Sequence, residues 1–426
     1  MTALTTSTTS ITADISGILT FGHLAQHPAA GAIHAIGGTY PLDSYLSPLN
    51  FTTFRSTQSK IVSNISRYRS YGMKLVPVMS DDFGYYVTNF PGDPAYPLST
   101  WESWVTNYVN QMVSNGFVDA WCIDIWNEPN LSQFWPRPFS QFCDVWITAA
   151  ATIKSLQPTW KVCGPSLSQY DGTLIGQFFN ACKNAGVYPD VISFHQTAIQ
   201  YFNLNEPWEF PTNLETTNTM ATSAGISGKP FFLGEYISSG LDITRPGPAA
   251  SWMISMDSAG TNAVSAACHS TFPESDYADP LLNTGDNIDN STRDTLCGIL
   301  SPDNMPRAVW FLYRDYANMT GIMASDLSAA ILVNVDNEKK EFNAIYCAKS
   351  PTTKRQFIII KNFGEVFSPN RIMYTIIKYQ DSAWAKCSTP PLVEYGTILN
   401  NFDNIILRIP PFSAGTEAIH IKMVSR

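Results

Sequence analysis

No lysine or arginine precedes Arg55. The amino-terminal stretch therefore lacks the basic residues that open a secretory signal peptide, and its Thr- and Ser-rich start, residues 1–14, reads as a tail. Charge is scarce throughout: 14% of residues are charged and acids outnumber bases for a net charge of -9. A polyanion needs a basic surface, so this balance argues against nucleic acid as a partner. No run approaches the roughly 18 consecutive apolar residues of a membrane span. The eight cysteines include no Cys-x-x-Cys pair, which argues against zinc and against a thioredoxin-like motif. Cys122, Cys163 and Cys268 lie inside apolar runs and read as small core residues, whereas Cys347 and Cys387 share the carboxyl-terminal segment and are candidates for a bridge there.

Aromatic residues, by contrast, are plentiful, with 11 Trp and 19 Tyr. Such rings stack on sugar faces as well as filling cores. Five Asn-x-Ser/Thr sequons, at Asn50, Asn64, Asn130, Asn290 and Asn318, permit glycosylation in a eukaryotic secretory route. A secreted or extracytoplasmic location is the expectation, with the cytoplasm as the alternative.

From about Ile15 to Tyr316 apolar strand candidates alternate with helical patterns, the signature of parallel βα units. Eight strands are expected at Gly17–Gly22, Phe51–Ser56, Lys74–Met79, Trp121–Trp126, Lys161–Gly164, Val191–His195, Phe231–Glu235 and Ala263–His269. Helices are expected at Ser59–Tyr71, Trp101–Asn115, Phe139–Leu156, Thr173–Asn184, Pro248–Ala259 and Arg307–Tyr316, with Gly72, Gly116, Gly186 and Gly260 at helix ends. Eight such units make a (β/α)8 TIM barrel over residues 15–320. The runner-up, a doubly wound open sheet, lacks a Gly-x-Gly-x-x-Gly or phosphate-loop motif after its first strand. Beyond a boundary near Met319–Ser325 the texture becomes short apolar strands between polar, Pro- or Gly-rich turns, and residues 321–426 read as an antiparallel β-sandwich.

Two expected strands end in a glutamate. Trp126-Asn127-Glu128-Pro129-Asn130 closes the fourth, and Leu233-Gly234-Glu235-Tyr236 closes the seventh. Barrel enzymes keep their catalytic groups at strand carboxyl ends. One Asn-Glu-Pro alone is most simply a strand-to-turn junction; two strand-end carboxylates are the minimum apparatus for cleaving a glycosidic bond.

With these residues in place the chain resembles the clan A glycoside hydrolases, most closely glycoside hydrolase family 39, which includes β-xylosidases and α-L-iduronidases. The similarity is densest over Ile125–Trp135, continues to Lys161-Val-Cys-Gly-Pro165, and returns at Pro189–His195, Lys229–Glu235, Gly298–Arg307 and Leu407–Ser413. It implies a retaining double displacement with Glu128 as acid/base and Glu235 as nucleophile, acting on a β-linked glycan or glycoside with no metal or organic cofactor. It also implies that Asn127 bonds the sugar 2-hydroxyl. His195 is a candidate to orient a carboxylate or to contact a hydroxyl, Arg55 to hold the nucleophile ionised, and Trp135 to be a sugar platform, each with a structural role as the alternative. Tyr236, next to the nucleophile, stands where family members usually carry Trp. Gln196 replaces an aromatic, and Ser56-Thr57-Gln58 lacks a His often seen there. These departures bear on the substrate. A partner of oligosaccharide, polysaccharide or glycoside type follows, and the alternative from another class is a non-catalytic carbohydrate-binding barrel.

Overall fold

The structure is a computed structural model. It describes residues 4–6, 10–33, 36–80, 96–196, 206–236, 245–260, 263–265, 296, 299–300, 305–348, 356–367, 371–380, 392–399, 404–412 and 417–425. Eight parallel strands form one sheet in sequence order: Gly31–Ile33, Thr53–Thr57, Lys74–Met79, Ile123–Ile125, Val162–Leu167, Val191–Gln196, Phe231–Tyr236 and Ala263–Ser265. They are called the first to eighth barrel strands below. Helices join them, notably Leu98–Ser114, Phe139–Leu156, Gly172–Ala185, Glu206–Ser223 and Pro246–Ser258, so the strand and helix alternation delivers a (β/α)8 barrel.

Most strands and helices fall where the apolar runs place them, and Gly72, Gly116, Gly186 and Gly260 all take positive φ, at 68°, 72°, 68° and 84°. Gly186 caps its helix by donating from its N–H to Cys182 O and Lys183 O. The first strand differs. Ile15–Phe21 is a helix, because Asp14 accepts from the Ser16 and Gly17 amides and the buried Ile15 and Ile18 lie three residues apart on one face. The first barrel strand is instead Gly31–Ile33, flanked by buried Ala29 and Ala30, a small-residue stretch with little β-branched content to announce it. Ser59–Tyr71 splits into two helices, Gln58–Ser63 and Ile65–Ser70. Of the expected strand Ala263–His269, residues 266–269 lie outside the described residues, as do Cys268, Cys297, Cys387 and Asn290.

The amino-terminal tail is also a correction. Ser10–Asp14 is a strand, pairing in parallel with Gln356–Lys361 so that Ile11 lies opposite Ile358 and Ala13 opposite Ile360. With Asn404–Ile409 and Leu4–Thr6 it makes a four-stranded sheet. That sheet faces a seven-stranded one ordered Leu392–Leu399, Arg371–Tyr379, Ala418–Ser425, Glu341–Cys347, Ile331–Asp336, Ile322–Asp326 and His23–Leu24. Ile11, Ile358, Ile360, Val333, Phe342 and Ile421 meet in the core between them. The sandwich is therefore antiparallel except at its amino-terminal strand, and this chain segment crosses to it before the barrel begins. Burial explains why: Ile11 and Ala13 alternate with Ser10 and Thr12, the period of a strand with one apolar face.

Barrel and sandwich share one core. Leu332, Ile345, Cys347 and Ala418 belong to the same apolar cluster as Met253, Met256 and Tyr316. Helix Pro246–Ser258 is buried on nearly every side, as a helix between two layers must be. Cys347 is buried, and Cys387, the other half of the expected bridge, lies outside the described residues. Among the described residues no helix is long and apolar enough to cross a membrane.

Deleting residues 1–14 is expected to lower the thermal unfolding midpoint clearly more than deleting residues 1–9, because only the longer deletion removes Ile11 and Ala13 from the sandwich. Truncating Ile11 to Ala alone should cost about 2–5 kcal/mol, read from denaturant unfolding.

Candidate active site

The barrel interior changes character along its axis. At one level Val76, Cys122, Cys163, Val191 and Phe232 fill it with apolar and small side chains. Toward the strand carboxyl ends it becomes polar, and Arg55, Asp124, Asn127, Glu128, Ser166, Ser193, His195 and Glu235 are all buried there.

Arg55, from the second strand, is 0% exposed and its guanidinium is divided three ways. Nε donates to Asp124 Oδ2 at 2.7 Å, Nη1 to Glu235 Oε1 at 2.8 Å and Nη2 to Asn127 Oδ1 at 2.8 Å. A buried guanidinium needs such partners, and its planar fork fixes their directions. The Asn127 amide is thereby oriented. Its oxygen faces Arg55, and its buried Nδ2 has no partner among the described residues, leaving a donor available to a substrate hydroxyl.

Asp124 is the residue that motif reading passed over. It receives the Ser166 hydroxyl, which also meets Ser193 Oγ at 2.7 Å. The available signal was a lone acid inside the apolar run Trp121-Cys-Ile-Asp-Ile125; a carboxylate in a fully buried strand requires a cation, and Arg55 is the first basic residue in the chain.

Glu128 stands outside the Arg55 fork. His195 Nδ1 lies 3.0 Å from Glu128 Oε1 and 3.8 Å from Glu235 Oε1, so one imidazole edge bridges the two carboxyl groups. Burial pushes the Glu128 carboxyl up to about 7, with the Arg55 charge pulling weakly the other way. Burial likewise pushes His195 down to about 4, against the pull of Glu235, so near neutral pH the ring is uncharged. Its Nε2 is buried with no partner among the described residues. A proton on Nδ1 serves the carboxyl and leaves a bare lone pair at Nε2, which costs less than an orphaned N–H. Gly234 leaves room for this ring: a Cβ there would sit 2.8 Å from both His195 Cδ2 and Nε2.

The loop carrying Glu128 is held in an unusual shape. Trp126 has φ 78° and Glu128 φ 49°, left-handed conformations that cost energy in non-glycine residues. The Glu128 amide donates to Ser166 O at 3.0 Å, and the Asn130 side chain bonds Ser168 Oγ at 2.8 Å and the Ser168 amide at 2.9 Å. Trp135 belongs to this support. It is 2% exposed, edge-on to Trp126 at 5.4 Å and to Phe142 at 6.2 Å, and its Nε1 donates to Pro138 O. A ring so enclosed packs the loop and offers no face to a sugar. Tyr236 is 0% exposed and donates to Ala29 O at 2.6 Å, with Tyr313 Oη 3.1 Å away. It ties the seventh strand to the start of the first and does not line the mouth.

Glu128, His195 and Glu235 each bring one ligand atom within 4.8 Å of the others. Such a trio suits a divalent metal in principle. Here Arg55 Nη1 engages Glu235 Oε1, and His195 Nδ1 is turned to Glu128, so protein groups meet the ligand atoms. The arrangement suits proton transfer and attack by one carboxylate beside a protonated partner.

Fold and site together define a (β/α)8 barrel with an appended sandwich and a glutamate pair at its carboxyl-terminal mouth. The family model for glycosyl hydrolases family 39 matches residues 74–222. A β-xylosidase from Geobacillus stearothermophilus is 22% identical over 213 residues, 46% of this chain and 42% of the relative, so the match spans under half of that protein. Among solved structures, N2152 from Neocallimastix frontalis superimposes with a TM-score of 0.77 at 18% identity, covering 99% of this chain and 100% of its own. The family 39 enzyme from Xanthomonas axonopodis pv. citri gives 0.70 at 12% identity, with 98% and 97% covered. Over residues 74–222 the sequence is thus similar to glycosyl hydrolases family 39.

Two outcomes follow from this geometry. Gly234→Ala should displace the His195 ring and reduce any glycosidase turnover at least tenfold, with a near-native circular dichroism spectrum. Glu128 holds its proton to about pH 7 when folded and to about 4.3 when unfolded, so stability falls as pH rises through that window, by up to about 3 kcal/mol above it. Glu128→Gln should therefore raise the unfolding midpoint at pH 8.5 and leave it nearly unchanged at pH 4.

Proposed function

We propose that the protein is a retaining glycoside hydrolase that cleaves β-linked, neutral glycans or glycosides, with Glu128 as acid/base and Glu235 as nucleophile. The observation that carries this reading is the bridged pair. Carboxyl oxygens of Glu128 and Glu235 lie within 4.8 Å of one another and of His195, the range of a retaining pair rather than the wider gap that admits a water in an inverting one.

In the first step the Glu235 carboxylate attacks the anomeric carbon while Glu128 passes its proton to the leaving oxygen. The C–O bond to the leaving group breaks and an ester to Glu235 forms. Glu128, now ionised, removes a proton from water, whose oxygen attacks the same carbon and releases Glu235. Arg55 supplies the counter-charge that Glu235 needs before attack and after release. Asn127 Nδ2 is the donor for the sugar 2-hydroxyl, a bond that strengthens as the oxocarbenium-like transition state develops. The buried acid has its pKa near working pH, where proton donation is efficient. The Geobacillus relative's name supports a β-xyloside as the first substrate to test.

In Glu128→Ala, turnover of substrates with poor leaving groups should fall by a factor on the order of 10²–10⁴. Aryl glycosides with good leaving groups should still form the intermediate and be rescued by azide. A 2-fluoro xylosyl fluoride should leave a single sugar on Glu235 in peptide maps. Label on another carboxylate would reassign the nucleophile, and an inverted first product would overturn the retaining mechanism.

A further inference from the structure

Asp124 is the middle residue of the short fourth strand and is 0% exposed. Strand alternation explains its direction. Ile123 and Ile125 join the large apolar cluster that includes the barrel helices, whereas Cys122 joins the layer filling the barrel interior, so Asp124 points inward at the next level. Every member of that layer, Val76, Cys122, Cys163, Val191 and Phe232, is apolar, and packing alone gives no reason for an acid to follow.

Its contacts do. Oδ2 accepts from Arg55 Nε at 2.7 Å, and Oδ1 accepts from the Ser166 hydroxyl, with the Cys163 thiol 3.5 Å away. Ser166 is itself irregular. It has φ 53°, and the pairing of the fifth and sixth strands shifts register between Pro165 and Leu167, the mark of a bulge, which re-aims side chains beside active sites. Here the bulge lets one residue face two ways: the hydroxyl reaches Asp124, and the carbonyl accepts the Glu128 amide at 3.0 Å. Asp124 is thus linked to Glu235 and Asn127 through Arg55, and to Glu128 through Ser166.

We propose that Asp124 is a positioning residue for the glutamate pair: it holds the Arg55 fork and the Ser166 bulge in place and shields Glu128 from the full guanidinium charge. The inference rests on the glycosidase reading. With Nε on Asp124, Nη1 on Glu235 and Nη2 on Asn127, each guanidinium nitrogen is engaged away from Glu128. Burial raises Glu128 and Arg55 pulls it back; without the opposing charge of Asp124 that pull would strengthen and draw off the proton the acid has to deliver. Apart from Arg55 and Glu235, the titratable groups around Asp124 add no charge near neutral pH, since burial raises Tyr108, Cys122 and Cys163 and lowers His195 to about 4.

The test is Asp124→Asn in the full chain, which keeps the side-chain shape and removes its charge. Carboxyl NMR titration of isotopically labelled glutamate needs no substrate, and the Glu128 signal is assigned by its loss in Glu128→Gln. The Glu128 midpoint, about 7 in the wild type, should fall by about one pH unit in Asp124→Asn. The basic limb of kcat/KM for an aryl β-xyloside should move down with it. At the optimum, kcat should drop by a factor on the order of 10–10², with KM changed by less than about threefold. An unmoved midpoint overturns the inference, and so does a rise, which would mean that Asp124 only anchors Arg55. Should Asp124→Asn fail to fold, Ser166→Ala decides, because it removes the tether at Oδ1 and leaves the charge: kcat should fall about tenfold with KM again within about threefold, and a wild-type kcat overturns the inference. Failure of the wild type to cleave any aryl glycoside would strike the glycosidase reading instead, leaving the effect of Asp124 on Glu128 to be judged by the NMR titration.

Discussion

The site depends on one buried cation. Arg55 brings a full positive charge into the barrel with 0% exposure, and desolvation on that scale is tolerable only when each donor edge is met. Asp124, Glu235 and Asn127 meet them. The fork thereby joins the second, fourth and seventh strands and the loop after the fourth. It also fixes the charge pattern of the mouth: Asp124 and Glu235 share the guanidinium, and Glu128, excluded from the fork, meets His195 Nδ1 instead. Burial raises the Glu128 carboxyl against the pull of Arg55, so its surroundings favour the protonated form.

Around that centre the supporting shell is largely aromatic and small. Trp101, Trp126, Trp135 and Phe142 lock the strained turn that presents Asn127 and Glu128, and packing of this kind is what allows left-handed non-glycine backbone to persist. On the opposite wall the opposite device operates. Gly234 omits a side chain so that His195 can lie against the seventh strand and reach both carboxyl groups. A bulky residue clamps one wall and a missing one opens the other, and both set the separation of the glutamates.

The sandwich is bound into the same molecule by polar as well as apolar contacts. Asp315, on the last barrel helix, receives Tyr379 and lies 3.4 Å from His420, both on the sandwich. Although burial raises a carboxyl, these partners hold Asp315 at about 2, so the contact keeps its charge over the ordinary pH range. Nearby, His27 Nε2 meets Met319 O at 2.7 Å. The interface is thus a specific junction.

Much of this was legible in the chain itself. The period of apolar runs, glycine at helix ends and two strand-terminal glutamates carry local information, and local chemistry decides strands such as Lys74–Met79 and helices such as Phe139–Leu156 wherever one face or run is unambiguously apolar. Sequence reading also singled out Arg55, Asn127, Glu128, His195 and Glu235, because polar residues at the ends of buried strands are conspicuous. Tertiary structure decided the rest. Ile15–Phe21 is a helix because Asp14 caps it, and residues before it join the sandwich because a strand more than 340 residues away offers Ile358 and Ile360 as partners. Tyr236 is a packing residue because Ala29 and Tyr313, remote in sequence, meet its hydroxyl, whereas Trp135 is enclosed by its near neighbours Trp126, Pro138 and Phe142. Asp124 became part of the site only when Arg55, 69 residues earlier, folded onto it. A sequence specifies which groups are expensive to bury; only the fold shows which other group makes that burial tolerable, since pairing across distant strands leaves no local trace.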